Sequence, residues 1–176
     1  MAYPIIAISR ARIHAVLILA ALAVARPITL DAQAPHDEQA AVMAVAESAL
    51  VAISRSDFAA FTDLMLDSAV TFSAGERNGQ FRVQFRTRAQ QRATPPGGRY
   101  TERGFHPEVR ISGPLAMVWL PYDFYRDGKW SHCGVDAFTL LKSEGGWRIA
   151  TLVWSVEQPP ACQPHPSGPP PDSSPN

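Results

Sequence analysis

The stretch MVWLPYDFYRDGKWSHCGVDAFTLL, Met117–Leu141, decides the fold of this chain. Within it Asp127-Gly128 separates two runs rich in aromatic and branched residues, the pattern of a two-residue type I′ hairpin turn. Counting outward from that turn opposes Tyr125 to Trp130, Asp123 to His132, Pro121 to Gly134, Trp119 to Asp136 and Met117 to Phe138. Side chains alternate along a strand, so all ten are expected on one side of the sheet. Val118, Leu120, Tyr122 and Phe124 then share the other side with Ser131, Cys133, Val135 and Ala137. Directly opposed residues have Cβ atoms roughly 5 Å apart, which puts Asp123 and His132 within reach as a carboxylate–imidazole pair. His132 and Asp136, four residues apart on one straight strand, are about 13 Å from each other and out of reach. The mixed face suits the lining of a half-polar pocket, and equally a cross-strand salt bridge beside a capped buried aspartate; both readings stay open. Pro121 cannot donate to the ladder, and a bulge near it would reverse the facing of everything before it.

Outward from this hairpin, Asn78-Gly79 marks a second one. Its register pairs Phe72 with Phe85 and Ala74 with Val83, and puts Ser73, Arg82, Gln84 and Arg86 on the opposite face. Val42, Val45, Ala46, Ala49, Leu50 and Ile53 form one stripe of a helix over 37–53, with Asp37 placed to cap it. Ser56 or Asp57 caps a second helix running through Leu66, and a short third helix spans 87–93 before Pro95-Pro96-Gly97-Gly98. A strand at 108–111, the central hairpin and a last strand at 147–156 complete a meander of about four strands. Helices on one face of a curved antiparallel sheet make an α+β fold.

The ends of the chain bear on its compartment. Arg10 and Arg12 precede an apolar run at 13–25, too short for a membrane span of roughly 20 residues, and Ala32-Gln33-Ala34 is a small-x-small cleavage site. Residues 1–34 therefore read as a signal peptide, 35–157 as one domain, and 158–176, with eight prolines, as a tail disordered beyond Cys162. An exported, periplasmic or secreted protein follows, with no membrane insertion after cleavage. Of the 16 basic and 16 acidic residues, Arg10, Arg12, Arg26 and Asp31 fall in the signal, so the remainder carries a formal charge of −2. That balance predicts no nucleic-acid partner. Cys133 and Cys162 form the expected disulfide of an exported chain, with two free thiols as the alternative. No spacing suggests a metal site, and no cofactor-binding motif is present.

The run Pro121-Tyr122-Asp123-Phe124-Tyr125-x-Asp127-Gly128-Lys129, the closing Gly145-Gly146-Trp147-Arg148-Ile149 and the order helix–helix–hairpin–helix–meander resemble the nuclear transport factor 2-like superfamily. The segment His132-Cys133-Gly134-x-Asp136-x-Phe138-x-Leu140 is similar to its small exported bacterial members, grouped with SnoaL-like or lumazine-binding-like domains. The resemblance covers about 37–157. It implies a cone-shaped sheet wrapped by helices, a pocket at the open end and a homodimer formed through the sheet. Activities in that superfamily range from isomerases to dehydratases and hydrolases, and no catalytic residue carries over from it.

Three functional expectations follow. The first is a pocket for a small, partly apolar ligand: Trp119, Tyr125, Trp130 and Phe138 supply contact area, Asp123, His132 and Asp136 fix orientation, and Arg86 or Arg82 reaches the rim to meet an anionic group. The second is a cofactor-independent isomerase, dehydratase or hydrolase in which Asp123 holds His132 as general base and Asp136 serves as acid. The third is an interaction module using Val118, Leu120, Tyr122 and Phe124 as an outer sheet face.

Overall fold

A computed structural model describes residues 34–93 and 97–171, so all but the last residue of the expected signal peptide lies outside it. Helix α1 (Ala34–Ser54) begins before Asp37, which stands in its first turn instead of capping it. Val42, Ala46, Ala49 and Leu50 of the anticipated stripe are buried. Asp57 caps α2 (Phe58–Asp63), its carboxylate accepting from the Ala60 amide at 2.9 Å. The second helix stops short of the expected Leu66. Met65 already belongs to β1 (Met65–Arg77), and the Ile149 amide donates to the Leu64 carbonyl at 2.9 Å as the chain leaves the helix. A long-range strand partner thus overrides local helix propensity.

β2 (Gln80–Thr87) pairs with β1 in the anticipated register, Phe72 opposite Phe85 and Ala74 opposite Val83. α3 (Arg88–Ala93) follows, then β3 (Tyr100–Gly104), a strand the hydrophobic pattern did not reveal, and β4 (Glu108–Ser112). β5 (Leu115–Arg126), β6 (Lys129–Ser143) and β7 (Gly146–Val156) complete one seven-stranded sheet in the order β2-β1-β7-β6-β5-β3, with β4 also paired to β5. Every pairing is antiparallel except that of β1 with β7. Among the described residues the result is a curved, open sheet with three helices. Phe58 and Phe61 of α2 and the buried stripe of α1 share one core with Val118, Leu120, Phe138, Leu140 and Leu152 of the sheet. At the start of α1, Glu38 accepts from Lys142 Nζ at 2.6 Å and from Trp147 Nε1 at 2.9 Å, tying the helix to the β6–β7 turn.

The central hairpin keeps its turn and corrects its register. Arg126 opposes Lys129 and Tyr125 opposes Trp130 as counted, but Phe124 then opposes His132, leaving Ser131 as a bulge. Beyond it every pair moves by one: Asp123 faces Cys133, Leu120 faces Asp136, Trp119 faces Ala137 and Val118 faces Phe138. One extra residue exchanges the faces of the whole strand. Val118, Leu120 and Tyr122, expected outside, are buried inside, and Trp119 and Met117 are half exposed on the convex side.

The tail is described as far as residue 171, and the rest of it lies outside the described residues. Cys133 and Cys162 are bonded, with Cα atoms 5.7 Å apart, and the chain stays on the convex side past the bridge. The His165 amide donates to Asp123 Oδ2 at 3.1 Å, Arg103 donates to the Gly168 carbonyl at 2.8 Å, and Pro170 is buried. Composition predicts disorder because such a segment has few contacts of its own; here the contacts are supplied by β3 and β5.

Candidate functional site

Inside the cone lies a cavity of about 380 Å³, walled by the inner face of the sheet and closed above by Ile53, Phe58 and Phe61. The sheet supplies three rows of side chains. In the first, Leu120, Asp136, Trp154 and Ser73 lie across β5, β6, β7 and β1, and Gln84 extends it on β2. In the second, Gly104, Tyr122 and Gly134 are neighbours. Glu102, Phe124 and His132 form the third.

Gly134 is required by the second row. A Cβ there would come within 2.2 Å of the Ser155 carbonyl oxygen, the oxygen to which the Tyr122 hydroxyl donates at 2.7 Å. Burial raises the Tyr122 phenol, and the carboxyls of Asp136, Glu102 and Glu157 raise it further, so it remains a neutral donor. The bulge at Ser131 turns His132 inward. Its ring stacks on Phe124 at 4.9 Å, meets the edge of Tyr122 at 5.7 Å, and has Nδ1 2.9 Å from Ser131 Oγ. Burial pushes this imidazole down to about 4, so it is uncharged at neutral pH.

Two carboxyls complete the polar wall. Asp136 is 1 % exposed, and its Oδ2 is the one buried side-chain oxygen or nitrogen without a hydrogen-bond partner among the described residues. Burial first, and the nearby Glu102 second, hold its carboxyl well above the ordinary range. Glu102 is raised to about 8 by burial. It is half-buried by surface area, standing between this cavity and a groove lined by Leu50, Ser54 and Leu120. Ser54 of α1 fixes its backbone, accepting from the Glu102 amide at 2.9 Å and donating to its carbonyl at 3.3 Å. Both carboxyls are thereby biased towards the protonated form, in which each serves as a hydrogen-bond donor.

Of the residues singled out from sequence, His132, Asp136 and Arg86 line the cavity. Asp123 does not. It is fully buried on the convex side in a two-pronged pair with Arg103, Nε to Oδ1 at 3.0 Å and Nη2 to Oδ2 at 2.6 Å, so the expected Asp123–His132 pair is not formed. Trp119 is exposed on that same side, Tyr125 and Trp130 pack edge to face there at 5.5 Å, and Phe138 is core. Glu102, Tyr122, Phe124 and Trp154 take their places in the pocket. Glu102 was missed because a single glutamate in a five-residue strand has no local signature. Among the described residues no group of three or more histidine, cysteine or acidic side chains is placed to hold a metal ion.

No protein-family model and no curated protein matches the sequence. Solved structures do match its fold. A nuclear transport factor 2-like protein with a cystatin-like fold from Novosphingobium aromaticivorans superposes with a TM-score of 0.57 at 13% identity, over 70% of this chain and 84% of that one. The β subunit of a provisionally named aromatic-ring-hydroxylating dioxygenase from the same organism gives 0.58 at 11% identity, over 71% and 92%. A provisionally named dehydratase from Streptomyces avermitilis gives 0.53 at 16% identity, over 69% and 97%. The chain thus has the nuclear transport factor 2-like α+β fold, a cone-shaped sheet closed by helices over a pocket. At these identities the likeness is one of fold and carries no activity.

Proposed function

We propose that this chain is an exported domain whose cone binds a small, partly apolar ligand through hydrogen bonds from Asp136 and its neighbours. The observation that carries the reading is the Asp136 Oδ2, buried without a partner in a cavity with room for a ligand. Leaving a buried polar atom unsatisfied costs about 1–3 kcal/mol, a cost that a ligand acceptor recovers. Ile53, Phe58, Phe61, Tyr100, Phe124, Leu152 and Trp154 give the wall a large apolar share beside its polar groups, as small-molecule sites usually have. Export is supported by the signal-like start and by the Cys133–Cys162 bond; no helix among the described residues is long and apolar enough to cross a membrane. A homodimer through the convex sheet face belongs to the same proposal, because among the described residues large apolar side chains there are exposed.

Native mass spectrometry of the protein, exported by its own signal and gently purified, tests this reading. A bound small molecule that is lost from Asp136→Leu supports it. A protein that arrives empty and takes up no member of a small-aromatic library counts against it.

A second reading is favoured by one feature. Two neighbouring carboxyls in an apolar pocket, with raised proton affinities, are the equipment for moving a proton within a substrate. In this form Glu102 replaces Asp123 as the partner of the acid–base chemistry, and neutral His132 orients the substrate. Once the bound molecule is known, its turnover by the native protein and by Glu102→Gln decides between carriage and catalysis.

A further inference from the structure

On the premise that the cone is the binding site, two groups in its wall narrow the ligand, because each has hydrogen-bonding capacity that no described residue uses. One is Asp136 on β6, through its Oδ2. The other is Gln91 on α3, which is 5% exposed and part of the same wall. Gln91 Nε2 donates to Thr71 Oγ1 at 2.9 Å, and the buried Thr71 hydroxyl gives its own hydrogen to the Arg86 carbonyl at 3.4 Å. A hydroxyl has one hydrogen to give, so Thr71 accepts from Gln91 and holds the amide with its nitrogen towards β1. The carboxamide oxygen is left on the other side, and among the described residues no donor meets it.

The strand ladder sets the span between the two groups. Thr71 neighbours Leu152, Leu152 neighbours Phe138, and Asp136 lies two residues before Phe138 on β6. Two strand spacings of about 4.8 Å and two residues of about 3.3 Å put Thr71 and Asp136 roughly 12 Å apart. Leu152 and Trp154, on the strand between them, line the cavity and supply an apolar bed, with Phe58 and Phe61 above.

We propose that the cavity takes an uncharged molecule with a hydroxyl at each end of a flat apolar body, one hydroxyl donating to Gln91 Oε1 and the other bonded to Asp136 Oδ2. A carboxamide oxygen can only accept, so the ligand group beside α3 has to be a donor. At Asp136 a hydroxyl serves whichever form the carboxyl takes, since it both donates and accepts. A carboxylate or an ether would set oxygen against oxygen at Gln91. An ammonium would exchange its water shell for a single amide oxygen, which is a net loss.

The test uses para-benzenedimethanol, one ring with a hydroxymethyl arm on either side. Its binding is followed by proton–nitrogen correlation NMR of the labelled protein at neutral pH. It is compared with para-methylbenzyl alcohol, which has one hydroxyl, and with para-bis(methoxymethyl)benzene, which keeps both oxygens and has no donor. The diol should bind about tenfold tighter than either relative, the order of one hydrogen bond to an otherwise unpaired acceptor. It should also shift the side-chain amide signals of Gln91, which the diether leaves in place. Gln91→Met keeps the length of the side chain without its amide and should bring the diol down to the affinity of the single alcohol. Asp136→Leu should do the same from the other end. Gln80→Leu removes the same amide from an exposed position outside the cavity and should change nothing. If Gln91→Met does not fold, the three compounds on the native protein decide alone. A diether that binds as tightly as the diol overturns the donor assignment, and a single alcohol equal to the diol overturns the second contact, both keeping the pocket. No binding by any of the three, in folded protein, overturns the pocket as well.

Discussion

At the residue scale the pocket wall carries opposed pH dependences. Glu102 binds its proton more tightly in the folded chain, about 8 against an ordinary 4.5, so its contribution to stability is complete below pH 4.5 and is lost as pH rises towards 8. His132 is depressed, about 4 against 6.5, so its contribution is present above 6.5 and is lost as pH falls towards 4. Between about 4.5 and 6.5 the rising slope of His132 opposes the falling slope of Glu102, and Asp136, raised as well, falls with Glu102. Glu102→Gln removes one falling slope, so the urea-denaturation stability between pH 4.5 and 6.5 should become more positive in slope than that of the native protein by up to roughly 1.4 kcal/mol per pH unit, the slope of one proton. A variant that keeps the native profile would show that Glu102 does not titrate abnormally. Asp123 and Asp136 separate in the same way by place. Asp123→Ala leaves Arg103 without its partner beneath the tail, and a loss of about 2–4 kcal/mol is expected, the range for breaking a buried pair whose arginine keeps some solvent contact. Pocket binding should survive that change. Asp136→Asn, which keeps the shape, should leave stability nearly intact and alter ligand binding.

At the scale of elements, the hairpins show what pattern alone can reach. The Asn78-Gly79 register was legible because the turn and the alternation of Phe72, Ala74, Val83 and Phe85 agree. The Asp127-Gly128 turn was equally legible, and the register beyond it was not, because β5 is apolar on both faces: Val118, Leu120 and Tyr122 inside, Met117 and Trp119 outside. Alternation cannot choose between two apolar faces, and the bulge at Ser131 changes which of them His132 joins. Hence His132 and Asp136 fall on the cavity side of the sheet and Asp123 on the convex side. Glu102 became visible only when β3 was paired to β5. The contacts of the tail were not legible for a related reason, since its anchors lie 42 and 65 residues away on Asp123 and Arg103. Cys162→Ser removes the bridge that starts this docking. The chain-entropy model gives a loss of roughly 3–4 kcal/mol for a loop of this length, and the backbone amide of His165 should lose its hydrogen-exchange protection while Asp136 stays enclosed. A protected His165 in that variant would mean the tail docks unaided.

At the scale of the molecule the sheet has its polar and apolar sides distributed unusually. Ser73, Gln84 and Arg86 face the cavity, whereas Phe81, Val83 and Phe85 point outward with 86%, 69% and 52% of their surface exposed. The ladder connects this cluster to the rest of the convex face, since Phe85, Phe72, Val153, Ala137 and Trp119 are successive neighbours from β2 to β5. Trp119 is 52% and Val153 36% exposed. Among the described residues the tail covers the part of this side around Asp123 and Cys133. An apolar row spanning five strands is larger than monomers ordinarily leave in water, and a second copy laid on the same face would bury it symmetrically. Trp119→Asp and Phe85→Asp place a charge on either end of the row without touching the cavity wall. Each should convert a dimer to a monomer in sedimentation velocity at micromolar concentration, with the monomer retaining affinity for the pocket ligand. A native chain that sediments as a monomer up to millimolar concentration would rule out this dimer. If the variants lost the pocket as well as the partner, the cone would depend on its mate for shape, and the unit of function would be the pair.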